Sequence, residues 1–191
     1  MANLFGNNQN SAAVSKREVL QQNYSKSVGN LLLVIIFSAV NIILLVAKSN
    51  TYFLFSAFVP YLVADYGMYF TGMYPEEFYE GMGDFVFLDK SLLYIALAIS
   101  AVIILLYLLS WIFARKRKIG WLYAATVLFV IDTLAMFALS GFSTDSIIDI
   151  VFHIWVLYCL INGIVTYYKI KKLPVEEETV IREVVSEQGE N

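Results

Sequence analysis

Four stretches of this chain, residues 30–47, 91–114, 119–140 and 147–168, are almost free of charge. Each has about the length a helix needs to cross a bilayer core of about 30 Å. A backbone in hydrocarbon has no water to bond, so only helices and closed barrels are possible there, and unbroken apolar runs select helices. The composition removes the alternative of a water-soluble fold. With 59% hydrophobic residues, 15% charged residues and a mean hydropathy of +0.67, the chain has too little polar surface to cover its apolar mass. The expected fold class is therefore an all-α membrane protein with four transmembrane helices.

A fifth apolar stretch, Thr51 to Ala64, is shorter, is interrupted by Pro60 and is ended by Asp65. Its length suits a re-entrant or interfacial helical segment better than a span. The alternative is a five-helix protein in which residues 51–73 cross the membrane. Residues 1–29 read as a cytoplasmic N-terminal arm, within which 7–11 lack order signals and 16–26 suit a short helix lying on the membrane. Residues 30–172 form the helical transmembrane domain with an outer segment at 51–90, and 173–191 form an acidic cytoplasmic tail beginning at the helix stop Pro174. That tail reads as a solvated segment or a docking helix for a partner. Lys16, Arg17 and Lys26 before the first apolar stretch, and Ala47-Lys48-Ser49 after it, loosely imitate a signal peptide. The apolar stretch Leu31 to Ala47 is too long for that, so a retained signal-anchor helix is expected.

Basic residues set the orientation. With four spans and both termini in the cytoplasm, eleven of the 13 Lys and Arg residues are cytoplasmic and only Lys48 and Lys90 are outside. The five-span alternative gives nine against four, a weaker bias. The short connections Arg115 to Lys118 and Gly141 to Ser146 make the last three helices two antiparallel hairpins. Trp111 and Trp121 flank the basic block and Tyr167 and Tyr168 precede Lys169, as an interfacial aromatic belt requires.

A net charge of −3 with a pI near 5.1 offers no basic surface to nucleic acid. The single cysteine, Cys159, excludes an internal disulfide and reads as a small buried apolar residue. The single histidine excludes any metal site needing two histidines of one chain, and no metal or other cofactor is expected. Glu76, Glu77, Glu80, Asp84 and Asp89 lack the spacing of an EF-hand loop and read as a solvated acidic loop. No Gly-rich phosphate loop, dinucleotide-binding pattern or internal repeat is present.

Chemistry is confined to the polar residues at membrane depth, where each ionisable group needs a partner or a watery cavity. Asp132 lies about 12 Å from the outer end of its helix and His153 about 9 Å from the start of the next, at 1.5 Å per residue. Across a hairpin turning at 141–143, facing residues have numbers summing to about 285, and 132 with 153 meets that sum. Asp149 stands one turn above His153 on the same face, and Asn41 of the first span reaches similar depth. These four form a candidate polar cluster toward the outer end. Tyr123 and Asn162 form a second facing pair, with Asn162 on the opposite side of its helix from His153. The cluster reads either as a lock between two helices or as a ligand or proton site. A serine-based triad needs Ser100 or Ser140 beside His153.

The segments Gly120-Trp121-Leu122, Leu128 to Thr133, Asp149 to Tyr158 and Thr51 to Tyr61 resemble those of small multi-pass bacterial integral membrane proteins with no assigned activity. The resemblance implies neither an activity nor a functional residue. The expected function is that of a non-enzymatic accessory or ligand-binding subunit in the lipid bilayer of a cell membrane, associating with another membrane protein or with its own copies. The alternative is a membrane-embedded enzyme or proton-coupled small-solute carrier using Asp132 and His153.

Overall fold

The computed structural model describes residues 16–81, 85–140 and 146–173. The arm before residue 16, Asp84, residues 141–145, where the α4–α5 connection was expected, and the acidic tail with Pro174 lie outside the described residues.

Four long helices form the bundle: α1 (Lys16–Val46), α3 (Ser91–Arg115), α4 (Ile119–Ser140) and α5 (Ser146–Lys172). All four are long and apolar enough to span a membrane. Between α1 and α3 lie the shorter α2 (Phe58–Phe70) and a single 3-10 turn at Glu76–Phe78. The solvent of this bundle is lipid, because its surface is inverted relative to a soluble protein. Ser38, Asn41, Ser100, Asp132 and His153 are buried, while Ile43, Leu134, Val151 and Ile154 stand exposed on the outside. The protein is thus a multi-pass all-α membrane protein.

Helix α1 packs on α5 and α3, α3 on α4, and α4 on α5, while α2 lies chiefly on α3 with further contact to α1 and α4. The central core joins Val28, Leu31 and Val34 of α1 to Tyr107 of α3, Phe129 of α4 and Leu160 of α5. Both α3–α4 and α4–α5 are neighbours, as their short connections require. At the α3–α4 turn Arg115 stacks on Trp111 and Lys118 on Phe113, whose ring also lies against Trp121. These contacts combine the basic block with its aromatic flank.

Two expectations change. Residues 16–29 are not a separate surface helix but the first turns of α1, because Tyr24 and Ser27 are buried and the Tyr24 hydroxyl donates to the Ala114 carbonyl at 2.7 Å. Those contacts give this polar end a packed face that a membrane-surface helix would lack. Nor does Pro60 interrupt a helix or Asp65 end one. Pro60 is the third residue of α2, where a missing N–H removes no intrahelical bond, and the helix continues through Asp65 to Phe70.

The segment 47–70 enters and leaves the bundle at one end. From the end of α1 it runs down beside that helix, with residue 53 meeting Asn41 and residue 57 meeting Ser38. It then turns into α2, whose Pro60 carbonyl meets Ser100, well inside α3. Helix α2 climbs back until Gly67 packs on Leu93 and Ala96, near the start of α3. Thirteen residues give α2 a length of about 20 Å, short of a crossing. The segment is re-entrant. Gly67 makes its close approach possible, because a Cβ there would lie 2.6 Å from Ala96 Cβ.

Candidate functional site

A re-entrant helix starts where water is scarce, so its unbonded first N–H groups need partners from the protein. Helix α2 brings no capping side chain of its own, since Ala57 is its N-cap. Asp132 of α4 takes that role from another helix. The Phe58 N–H donates to its Oδ2 at 2.9 Å and the Val59 N–H to its Oδ1 at 2.8 Å. A carboxylate at a helix N-terminus also meets the positive end of the helix dipole.

The extended stretch leading into α2 is held in the same way. The Phe53 N–H donates to Asn41 Oδ1 at 2.8 Å, and Asn41 Nδ2 donates to the Phe53 carbonyl at 2.7 Å and to Ser56 Oγ at 2.8 Å. Asn41 thus pairs with Phe53 as a neighbouring strand would. The Ala57 N–H donates to Ser38 Oγ at 2.8 Å, and Ser100 Oγ donates to the Pro60 carbonyl at 2.7 Å. Between these bonds Phe53 and Phe55 pack on Phe37 of α1, and Phe55 also packs on Phe152 and Trp155 of α5.

His153 completes the site from α5. Its Nε2 lies 3.1 Å from Asp132 Oδ2, its Nδ1 lies 2.8 Å from the Asp149 carbonyl oxygen, and its ring stacks on Phe129. A carbonyl only accepts, so Nδ1 carries a hydrogen. The Nε2–Oδ2 contact then needs one further proton between the two groups. Whichever atom holds it, the pair is neutral as a whole, with His153 4% and Asp132 2% exposed. A charge-neutral pair is the form that lipid tolerates best.

Of the four residues expected in the cluster, the structure joins Asp132 directly to His153 and places Asn41 in the same anchoring network. Asp149 enters twice: its carboxylate lies near enough to His153 to interact with it electrostatically, and its backbone carbonyl faces the imidazole Nδ1. Helical geometry explains the carbonyl contact, since a histidine can turn back onto the carbonyl one turn earlier. Tyr123 and Asn162 do not form the inner pair, for Asn162 Nδ2 donates to Ser27 Oγ at 3.3 Å. Ser100 is committed to Pro60, and the side chain of Ser140 lies outside the described residues. Among the described residues no three His, Cys, Asp or Glu side chains gather as a metal site would require.

Ser38 and the backbone donors of Phe58 and Val59 were missed, and Ser100 was considered only as a triad serine and not as the partner of Pro60. The available signal was the spacing of Ser38 and Asn41, three apart on one face of α1.

The end of the bundle above α2 is aromatic. The Tyr74 hydroxyl donates to Asp65 and the Tyr79 hydroxyl donates to the Tyr69 carbonyl at 3.0 Å, latching the loop after α2 back onto that helix. Burial and the Asp65 carboxylate both push the ionisation of Tyr74 above its usual range. Beside this latch lies a cavity of about 280 Å³ lined by residues 48–52 together with Leu45, Tyr61, Tyr74 and Pro75. A second cavity of about 720 Å³ is an apolar groove between α1 and α3. Neither of these two is lined by Asp132 or His153. Comparison with family models, curated proteins and solved structures finds no match.

Proposed function

We propose that this is a non-enzymatic accessory or ligand-binding subunit of a bacterial cell membrane, with both termini in the cytoplasm and its aromatic loop end on the outer side. The observation that carries the reading is the use of Asp132. Both carboxylate oxygens are spent on the α2 backbone, and the remaining contact goes to His153. A general acid or base must be within reach of a substrate proton, and this carboxylate is instead a structural cap. The cluster holds the re-entrant segment, and the segment supports the loop end, which is the surface offered to a ligand, another membrane protein or a second copy. The orientation rests on the eleven-to-two division of basic residues.

A proton-coupled carrier is the competing reading, because Asp132 and His153 share one proton. Liposomes loaded with a pH-sensitive dye separate the two. The purified protein is expected to leave an imposed pH gradient as stable as protein-free vesicles do. A leak that disappears in Asp132→Asn would replace this reading with the carrier.

A further inference from the structure

We propose that the cavity of about 280 Å³ at the loop end binds a phosphate group. This takes the ligand-binding reading above to one place on the molecule and rests on it, while its test is independent of proton flux. The lining is chemically one-sided. Lys48 is its only charged side chain and has no ion-pair partner among the described residues. Asn50, Thr51 and Tyr61 line the same cavity, and each carries a hydrogen-bond donor. Two carboxylates lie near without lining it: Asp65, which accepts the Tyr74 hydroxyl and faces Tyr61, and Asp149, which acts on Tyr52. A positive centre ringed by neutral donors selects an anion.

Position and size narrow the anion. Lys48 lies two residues past the end of α1, where the apolar stretch ends, a position at which lysine ammonium groups lie among lipid headgroups. The cavity falls just below the range of about 300–1,000 Å³ typical of ligand pockets, which suits a headgroup-sized group rather than a larger metabolite. A phosphate offers several acceptor oxygens to donors arriving from different walls, where a carboxylate offers two. The phosphate has two possible sources, the phosphodiester of a phospholipid and free inorganic phosphate.

Lys48 also permits a clean variant. It has φ +56°, and the Lys48 and Ser49 N–H groups bond back to the Leu45 and Leu44 carbonyls as in a glycine-terminated helix. Lys48→Gly therefore removes the charge while relieving the backbone, and its melting temperature is expected to be no lower than that of the wild type. Tyr61→Phe removes a hydroxyl and keeps the ring.

The full-length protein, in a phosphate-free maltoside detergent, is titrated with inorganic phosphate by calorimetry, then with short-chain phosphatidylglycerol. Lys48→Gly is expected to weaken binding by about tenfold or more, the effect of losing a charged hydrogen-bond donor. Tyr61→Phe should weaken it less. Phosphatidylglycerol that binds at the Lys48-dependent site, alone or in competition with phosphate, identifies the lipid source. Phosphate binding that the lipid does not disturb identifies the soluble one. Absence of binding by both probes overturns the proposal, as does Lys48→Gly binding them like the wild type.

Discussion

Replacing Asp132 by Leu together with His153 by Phe separates two accounts of the same pair. Leu has the branching of Asp, and Phe keeps a ring that can stack on Phe129. If the pair only bolts α4 to α5, exchanging it for well-packed apolar side chains is expected to be neutral or stabilising. The structure predicts otherwise, because Asp132 also caps α2. With it gone, the Phe58 and Val59 N–H groups lose their acceptors at 2.9 and 2.8 Å and stay buried. Each orphaned donor costs about 1–3 kcal/mol, hence about 4 kcal/mol together. Removing two ionisable groups from the interior offsets about 1–2 kcal/mol. The net expectation is a loss of about 2–3 kcal/mol, a roughly 30- to 150-fold shift toward unfolding. Equilibrium unfolding in mixed micelles measures the total. Amide hydrogen exchange locates it, with residues 57–59 losing protection before the midregions of α4 and α5. A double variant as stable as the wild type, with 57–59 equally protected, refutes the capping role.

Two further outcomes probe the frame around the site. Gly67→Ala places a Cβ 2.6 Å from Ala96 Cβ, which is fixed to the α3 backbone, so thermal unfolding should show a loss of about 1–3 kcal/mol; adding Ala96→Gly should recover most of it. Tyr74 ionises above its ordinary value of 10.0 in the folded protein, so its contribution to stability is complete below about pH 10. That contribution is lost as pH rises through the folded value, because the unfolded chain sheds the proton first. Tyr74→Phe should therefore flatten the alkaline limb of a stability–pH curve above pH 10, and an unchanged limb would remove the latch from the account.

The spans and the Asp132–His153 contact were legible because both follow from simple repeats. Apolar runs of a set length give helices, and hairpin register gives the facing pair from two residue numbers. Asn41 was legible by depth alone. What Asp132 is for was not legible, because its partners are the main-chain N–H groups of Phe58 and Val59, and every residue type except proline carries that donor. The clue lay in a missing residue. A short helix beginning Ala57-Phe58-Val59-Pro60 has a good third position for proline but no Ser, Thr, Asp or Asn to cap it. A helix of that kind inside a membrane requires acceptors from elsewhere, and Asp132 was an acid requiring a partner. The carbonyl contact from Asp149 to His153 was hidden for a related reason, since a main-chain carbonyl is common to all residues.

This division of roles bears on where a ligand can sit. The N-terminus of a broken or re-entrant helix is a natural anion site at membrane depth, with free N–H groups and a positive dipole end. Here Asp132 occupies that position as a permanent, tethered anion. One carboxylate facing the partial charge of about +0.5 at a helix N-terminus would leave excess negative charge in lipid. The proton shared with His153 makes the pair itself neutral, and Phe129 closes one face of the imidazole. A pair so satisfied carries no net charge of its own, and the N–H groups of residues 57–59 already have acceptors. The proposed phosphate site would instead draw its charge from Lys48, at the rim of the re-entrant segment. Under that proposal the buried pair contributes only by holding residues 51–61, several of which line the cavity, in place.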